Sequence, residues 1–178
     1  MWNLQEVRLN NFIASEFSLT AEFHIIGTKV RGFITNIYGP FALARKSDFL
    51  ESLNATKAWV GDRHWTLGEY FNLICSLDEK KGGHGTLSHH SEAFNDKIGE
   101  WGLVNLRPTN HIFNWTNKRI GNRHIASRLN RFLVLKEILT GGSDLAALVL
   151  PPTRSDHWPI SLNWLRVGEH LRKPLCFE

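Results

Sequence analysis

The chain has 178 residues, 42% of them apolar and 21% charged, which is the balance of a globular protein with one real core and excludes a disordered or fibrous one. Lysine and arginine exceed aspartate and glutamate by 21 to 17, and the resulting +4 permits a polyanionic partner without demanding one. The opening MWNLQEVRLNN lacks the apolar stretch of a signal peptide, and no run of about 18 apolar residues is present to span a bilayer, so an intracellular location, cytoplasm or nucleus, is expected.

Residues 16–26 alternate Phe17, Leu19, Ala21, Phe23 and Ile25 with polar neighbours and predict a half-buried strand, with 30–39 as its hairpin partner beyond Gly27 and Thr28. Leu43, Phe49, Leu50 and Leu53 predict a helix over 42–57. The stretch WTLGEYFNLI predicts a buried strand that ends on GEYFN. Residues 88–101 predict a helix with Ser91 as N-cap, an apolar stripe of Phe94, Ile98 and Trp101, and Gly102 as its stop. Residues 111–117, 127–135, 144–150 and 157–165 read as further strands. Short strands interspersed with helices predict a layered α/β or α+β sandwich, and the lack of repeats or linkers predicts one domain over 1–178.

Seven tryptophans imply a large aromatic core or a stacking surface, with the core favoured. Cys75 and Cys176 have no metal-type spacing, and HGTLSHH, with His84, His89 and His90, lacks the pairing that zinc requires. The sequons at Asn54 and Asn114 are read as chance matches. Three patterns stand at predicted strand ends. In RSDHWPISL, Asp156 beside His157 is a carboxylate next to an imidazole, suited to a metal, a phosphate or base chemistry, or else an ordinary turn. In TNIYGP, Tyr38 is a phenol able to donate to a phosphate oxygen, or a packing residue. In GEYFN, Glu69 and Asn72 are three apart, so a strand directs them to opposite faces.

Taken in order, TNIYGP, WTLGEYFNLICSLDEKKGG, SEAFNDKIGEWGLVNL, IFNWTNKR, SRLNRFLVL and RSDHWPI resemble the endonuclease/exonuclease/phosphatase superfamily, and within it the endonuclease domain of plant LINE-type retrotransposons. The resemblance runs from about residue 16 to 162. It implies a four-layered sandwich of two mixed sheets flanked by helices, incomplete at its N-terminal strands and so carrying an open sheet edge. It also implies Mg²⁺-dependent hydrolysis of a phosphodiester bond in DNA.

Carried over by motif, the resemblance makes Tyr38 a phosphate contact, with Asn36 and Pro40 around it, and Asn72 a phosphate holder. It places Tyr70 where the motif Gly-Asp-Phe-Asn has its water-activating Asp. It places Asn130 where Arg-Leu-Asp-Arg has the Asp that orients the catalytic histidine. Ser155, Asp156 and His157 match in full, leaving Asp156 as the metal-site carboxylate. The resemblance puts a metal-site Asn and the main Mg²⁺ ligand, a Glu, ahead of the matched region; Asn3 and Glu6 are read as chance. A phenol with a pKa near 10 is no base at neutral pH, and an amide carries no charge to stabilise an imidazolium. The expectation is a catalytically inactive domain with no stably bound Mg²⁺. A basic stripe of Lys118, Arg119, Arg123, His124, Arg128 and Arg131 around Trp115 reads equally as a track for phosphates, giving weak, non-specific DNA binding, or as a solvated loop. A working phosphodiesterase and a translated fragment without selected function remain the alternatives.

Overall fold

A computed structural model describes residues 7–83, 85–140, 143–152 and 154–166. Asn3, Glu6, His84 and Cys176, named above, lie outside the described residues.

The main sheet has six strands. They are β1 (Val7–Ala14), β2 (Ser18–Ile25), β3 (Arg31–Tyr38), β4 (Trp65–Tyr70), β6 (Leu103–Leu106) and β9 (Asn130–Leu135), in the order β1-β2-β3-β4-β9-β6. Only the β3–β4 pair is parallel, because α1 (Lys46–Val60) forms the crossover between them; the other pairs are antiparallel. β10 (Ser143–Val149) and β11 (Ile160–Arg166) form a second antiparallel pair. β11 packs against β9. Three two-residue strands, β5 (Lys80–Lys81), β7 (Trp115–Thr116) and β8 (Ala126–Ser127), join the loops above the strand ends. With α2 (His89–Glu100) and the short α3 (Lys136–Thr140), this is a mixed α+β architecture of several sheets and helices, the sandwich class expected.

The helices sit where their apolar stripes dictate. In α1, Phe49, Leu50, Leu53, Thr56 and Val60 are buried, and Lys46 opens the same stripe. Trp59 meets Phe33 edge to face at 5.0 Å. In α2, Phe94 and Ile98 are buried, with Phe94 5.2 Å from Phe71, and Trp101 lies 5.7 Å from Trp65. The helix caps one turn earlier than expected. Ser88, not Ser91, is the N-cap, its hydroxyl accepting from the Ser91 amide at 3.1 Å.

The first hairpin forms as expected, but burial at the start of β2 falls on the hydroxyl side rather than on Leu19. Phe17 is buried, yet Leu19 is 52% exposed while Ser18 and Thr20 are interior. Thr20 is tolerated inside because its hydroxyl bonds the Thr35 hydroxyl at 2.9 Å, which in turn accepts from the Trp65 indole at 2.7 Å. β1, which the sequence reading missed, pairs with β2 through a register shift between Leu9 and Phe12 and is exposed along nearly its whole length. The segment 111–117 keeps only Trp115 and Thr116 as strand.

Candidate functional site

The strand registers assemble the site. Tyr38 of β3 lies opposite Tyr70 of β4, and Tyr70 lies opposite Asn130 of β9, so three of the motifs deliver one residue each to a single lateral row. The row behind it holds Ile37, Glu69 and Arg131, which puts Glu69 one position out of step with the site, as its spacing implied. Glu69 takes φ 91° and Asn72 φ 54°, the left-handed region that bends the chain off the sheet. Burial raises the Glu69 carboxyl above its ordinary range.

Around that row the packing is close. The Tyr70 ring meets Tyr38 at 5.5 Å and the His157 ring edge to face at 4.8 Å. Asn130 Oδ1 lies 3.3 Å from His157 Nδ1. Asp156 is exposed, and its Oδ2 accepts from the Trp115 indole at 3.0 Å. That bond, more than any other cause, holds its carboxyl below the ordinary aspartate range. Burial lowers the His157 imidazole, against a smaller opposing effect of Asp156. Burial, then Tyr38 and Asp156, pushes the Tyr70 phenol up to about 12. Tyr70 is therefore a neutral hydrogen-bond donor at physiological pH, and no base.

Asn72 is held by both ends. Its Nδ2 donates to the Pro40 carbonyl at 3.1 Å, and its own carbonyl accepts from Lys46 Nζ at 2.7 Å. Lys46 is 2% exposed, and burial lowers its ammonium to about 8. Gly39 must be glycine here: a Cβ would stand 2.2 Å from the Phe71 carbonyl, where the β3 and β4 ends close together. The site opens into a groove of about 730 Å³ lined by Phe41, Lys46, Tyr70, Asn72, Trp115 and His157 among others.

One residue that sequence reasoning assigned no role organises this end of the molecule. Asn114 is fully buried; its Oδ1 accepts from the Leu129 and Asn130 amides, both at 3.0 Å, and its Nδ2 donates to the Asn130 carbonyl at 2.6 Å. Its backbone carbonyl accepts from the Trp158 amide at 2.8 Å, tying the histidine segment to the start of β9. Its burial also removes Asn114 as a glycan acceptor in the fold. The signal was the amide in FNWTN just before the aromatic, read only as part of a motif.

Two of the six residues of the basic stripe are withdrawn. Arg128 and Arg131 are each 1% exposed and turn inward to Glu79, at 2.9 Å and 3.0 Å. Arg128 also donates to Asn105 and the Leu106 carbonyl, and Arg131 to the Leu73 carbonyl and Cys75 Sγ. Burial lowers Arg128 to about 10. Both are core ion pairs and make no phosphate contact. Lys118, Arg119 and Arg123 remain exposed on the loop between β7 and β8. His89 and His90 meet edge to face at 4.4 Å in the first turn of α2.

Magnesium takes carboxylate and water oxygens in near-octahedral geometry. Among the described residues no three His, Cys, Asp or Glu side chains converge. Asp156 already shares an oxygen with Trp115, and the positions beside it are a neutral phenol and amides. This donor set does not fit a Mg²⁺ ion.

The arrangement of sheets and helices is a fold shared with solved structures that include an endonuclease/exonuclease/phosphatase family protein. Among solved structures it matches the endonuclease domain of TRAS1, a telomere-specific non-LTR retrotransposon, with a TM-score of 0.67 at 15% identity over 88% of this chain and 79% of that one. It also matches a Bacteroides thetaiotaomicron mannosyl-6-phosphatase, with a TM-score of 0.56 at 13% identity over 91% and 68%. A third is D. rerio TDP2 complexed with single-strand DNA product, with a TM-score of 0.53 at 11% identity over 88% and 67%. At such identities the likeness establishes the fold alone. No family model matches the sequence, and no curated protein does. No helix among the described residues is long and apolar enough to cross a membrane.

Proposed function

We propose that this chain is a retrotransposon-derived member of the endonuclease/exonuclease/phosphatase superfamily, of the plant LINE type by its motif order, that binds nucleic acid weakly and without sequence preference and does not hydrolyse it. The observation that carries the reading is Tyr70. It stands at the end of the central strand, against His157 and level with Tyr38 and Asn130, where the motif resemblance calls for an aspartate. A phenol pushed up to about 12 takes no proton from water at neutral pH, and the neutral amide of Asn130 stabilises no imidazolium. The rest of the arrangement favours holding a phosphate. Tyr38, Tyr70 and Asn72 carry donor groups, Tyr70 packs between Tyr38 and His157, and Lys118, Arg119 and Arg123 stand exposed on the adjoining loop.

The test is nicking of supercoiled plasmid by purified protein in Mg²⁺ or Mn²⁺. Product at background is expected, both for the natural chain and for Tyr70→Asp with Asn130→Asp, because that pair restores a base and a histidine partner but not a metal's principal carboxylate. Metal-dependent nicking by the natural chain that His157→Ala abolishes refutes the inactive reading. Nicking by the double variant alone refutes the argument about the metal.

A further inference from the structure

The mouth of the groove is unusually aromatic. Phe41, 88% exposed, Tyr70, Trp115 and His157 line it, and Tyr38, 70% exposed, extends the row by packing on Tyr70 at 5.5 Å. Exposed rings gathered on one concave site mark a binding surface more often than ordinary surface does. Among the described residues no hydrogen-bond partner holds the hydroxyl of Tyr38 or Tyr70. The floor beneath is basic. Lys46 Nζ reaches the Asn72 carbonyl, and no carboxylate pairs with it among the described residues, while Lys80 also lines the groove and Asp156 is the one acid that does.

We propose that this groove binds an unpaired nucleotide, its base stacked on the Tyr38–Tyr70 pair and its phosphate drawn to the floor at Lys46 and Asn72. The proposal rests on the nucleic-acid-binding reading above and specifies the form bound. Both faces of a base in a duplex are covered by its neighbours, so only an unstacked base offers a face to a tyrosine ring. An aspartate at position 70 would put a negative charge beside the phosphate and no ring under the base. The tyrosine reverses both. The apolar rim alone would suit a peptide, but an uncompensated lysine beneath it selects an anion. The 3.3 Å contact of His157 with Asn130 leaves its ring edge against Tyr70 and fixes the inner end of the stack.

Fluorescence anisotropy tests this with four labelled probes of one length: oligothymidylate, oligouridylate, an abasic deoxyribose strand and a duplex. Stacking on one ring contributes about 5- to 150-fold in affinity. At least one of the two base-bearing strands is therefore expected to bind about tenfold or more tighter than the abasic strand of equal charge. Tyr38→Ala, at a site exposed enough not to threaten folding, is expected to lower binding of the base-bearing strands by more than that of the abasic strand; Tyr38→Phe is expected to keep the base-dependent advantage. Preference for either base-bearing strand supports the proposal and identifies the sugar. Equal binding of all four probes, or an equal loss on base-bearing and abasic strands in Tyr38→Ala, overturns the stacking claim and leaves weak electrostatic binding standing. Binding to none of the probes overturns both.

Discussion

Replacing Glu79 by Gln removes one negative charge from a site that holds two positive ones. Glu79 is 2% exposed; Oε1 meets Arg128 at 2.9 Å, Oε2 meets Arg131 at 3.0 Å, and Oε2 also accepts from the Cys75 amide at 2.6 Å. The two guanidinium groups are themselves buried, and each keeps an unbonded Nε. Without the carboxylate they become uncompensated charges in the core. Breaking a buried pair from one side costs about 3–5 kcal/mol. In a chain of this size each kcal/mol lowers Tm by about 2–4 °C, so a fall of about 6–20 °C is expected. That is a large share of a typical stability of about 5–15 kcal/mol, and the variant is expected to lie near the edge of folding. Far-UV circular dichroism through thermal and urea unfolding measures it. Arg107→Ala is the control: Arg107 pairs with Asp78 at the surface, where such a bond contributes about 1 kcal/mol or less. A Glu79→Gln loss no larger than the control's refutes the inward role of Arg128 and Arg131 and returns them to the surface stripe.

Three further outcomes are expected. Charge reversal at Arg119 and Arg123 should weaken binding to all duplexes alike and make the log–log salt dependence shallower by roughly 2, since each phosphate contact contributes about −0.9; salt-independent or sequence-selective binding counts against it. Asn130→Asp should raise the His157 pKa from its lowered position, because a carboxylate then stands where an amide oxygen sits 3.3 Å away; a histidine proton resonance that titrates unchanged by NMR contradicts this. Lys46 has its ammonium lowered from 10.5 to about 8, so between those values the unfolded chain holds a proton that the fold does not, and stability should rise with pH across that window; Lys46→Met should flatten the rise in urea unfolding, and an unchanged slope speaks against the buried lysine.

The strand ends were legible because a motif couples residue type to a backbone position. TNIYGP, GEYFN and SRLNR each supplied one member of the row Tyr38, Tyr70 and Asn130, and the registers of β3, β4 and β9 bring them side by side. Burial was less legible. In β2 the alternation was real, but two hydroxyls took the inside: Ser18 meets the Ser15 hydroxyl of the preceding turn, and Thr20 meets Thr35 of β3, which in turn accepts from Trp65 of β4. β1 escaped notice because VRLNNFIA breaks its alternation at Asn10 and Asn11, where the register shifts against β2. Arg128 and Arg131 looked like part of a basic stripe because a sequence shows charge and not its counter-ion; Glu79 lies about fifty residues away. A Glu beside two lysines in DEKK gave no sign that it faces inward.

The proposed replacement of an acid by Tyr70 is compatible with the fold for a reason visible in the hydrogen bonds. The β3, β4 and β9 ends are joined by main-chain bonds, such as Gly39 N to the Tyr70 carbonyl at 2.6 Å and Phe71 N to the Leu129 carbonyl at 3.0 Å, and by the buried amide of Asn114. None of these needs an acid at 70 or 130. On the proposed reading, a carboxylate at 70 beside Asp156 would be a burden on stability, and the ring that packs against Tyr38 and His157 supplies contact in its place. Chemistry at these positions and stability of the scaffold are therefore separable. The positions that move a proton stand at the ends of the ladder, while the groups that hold the ladder closed are peptide bonds and Asn114. On the proposed reading, a scaffold arranged this way keeps a shaped, aromatic and basic groove without acids at 70 and 130, and nucleic-acid binding is the property that the labelled probes then test.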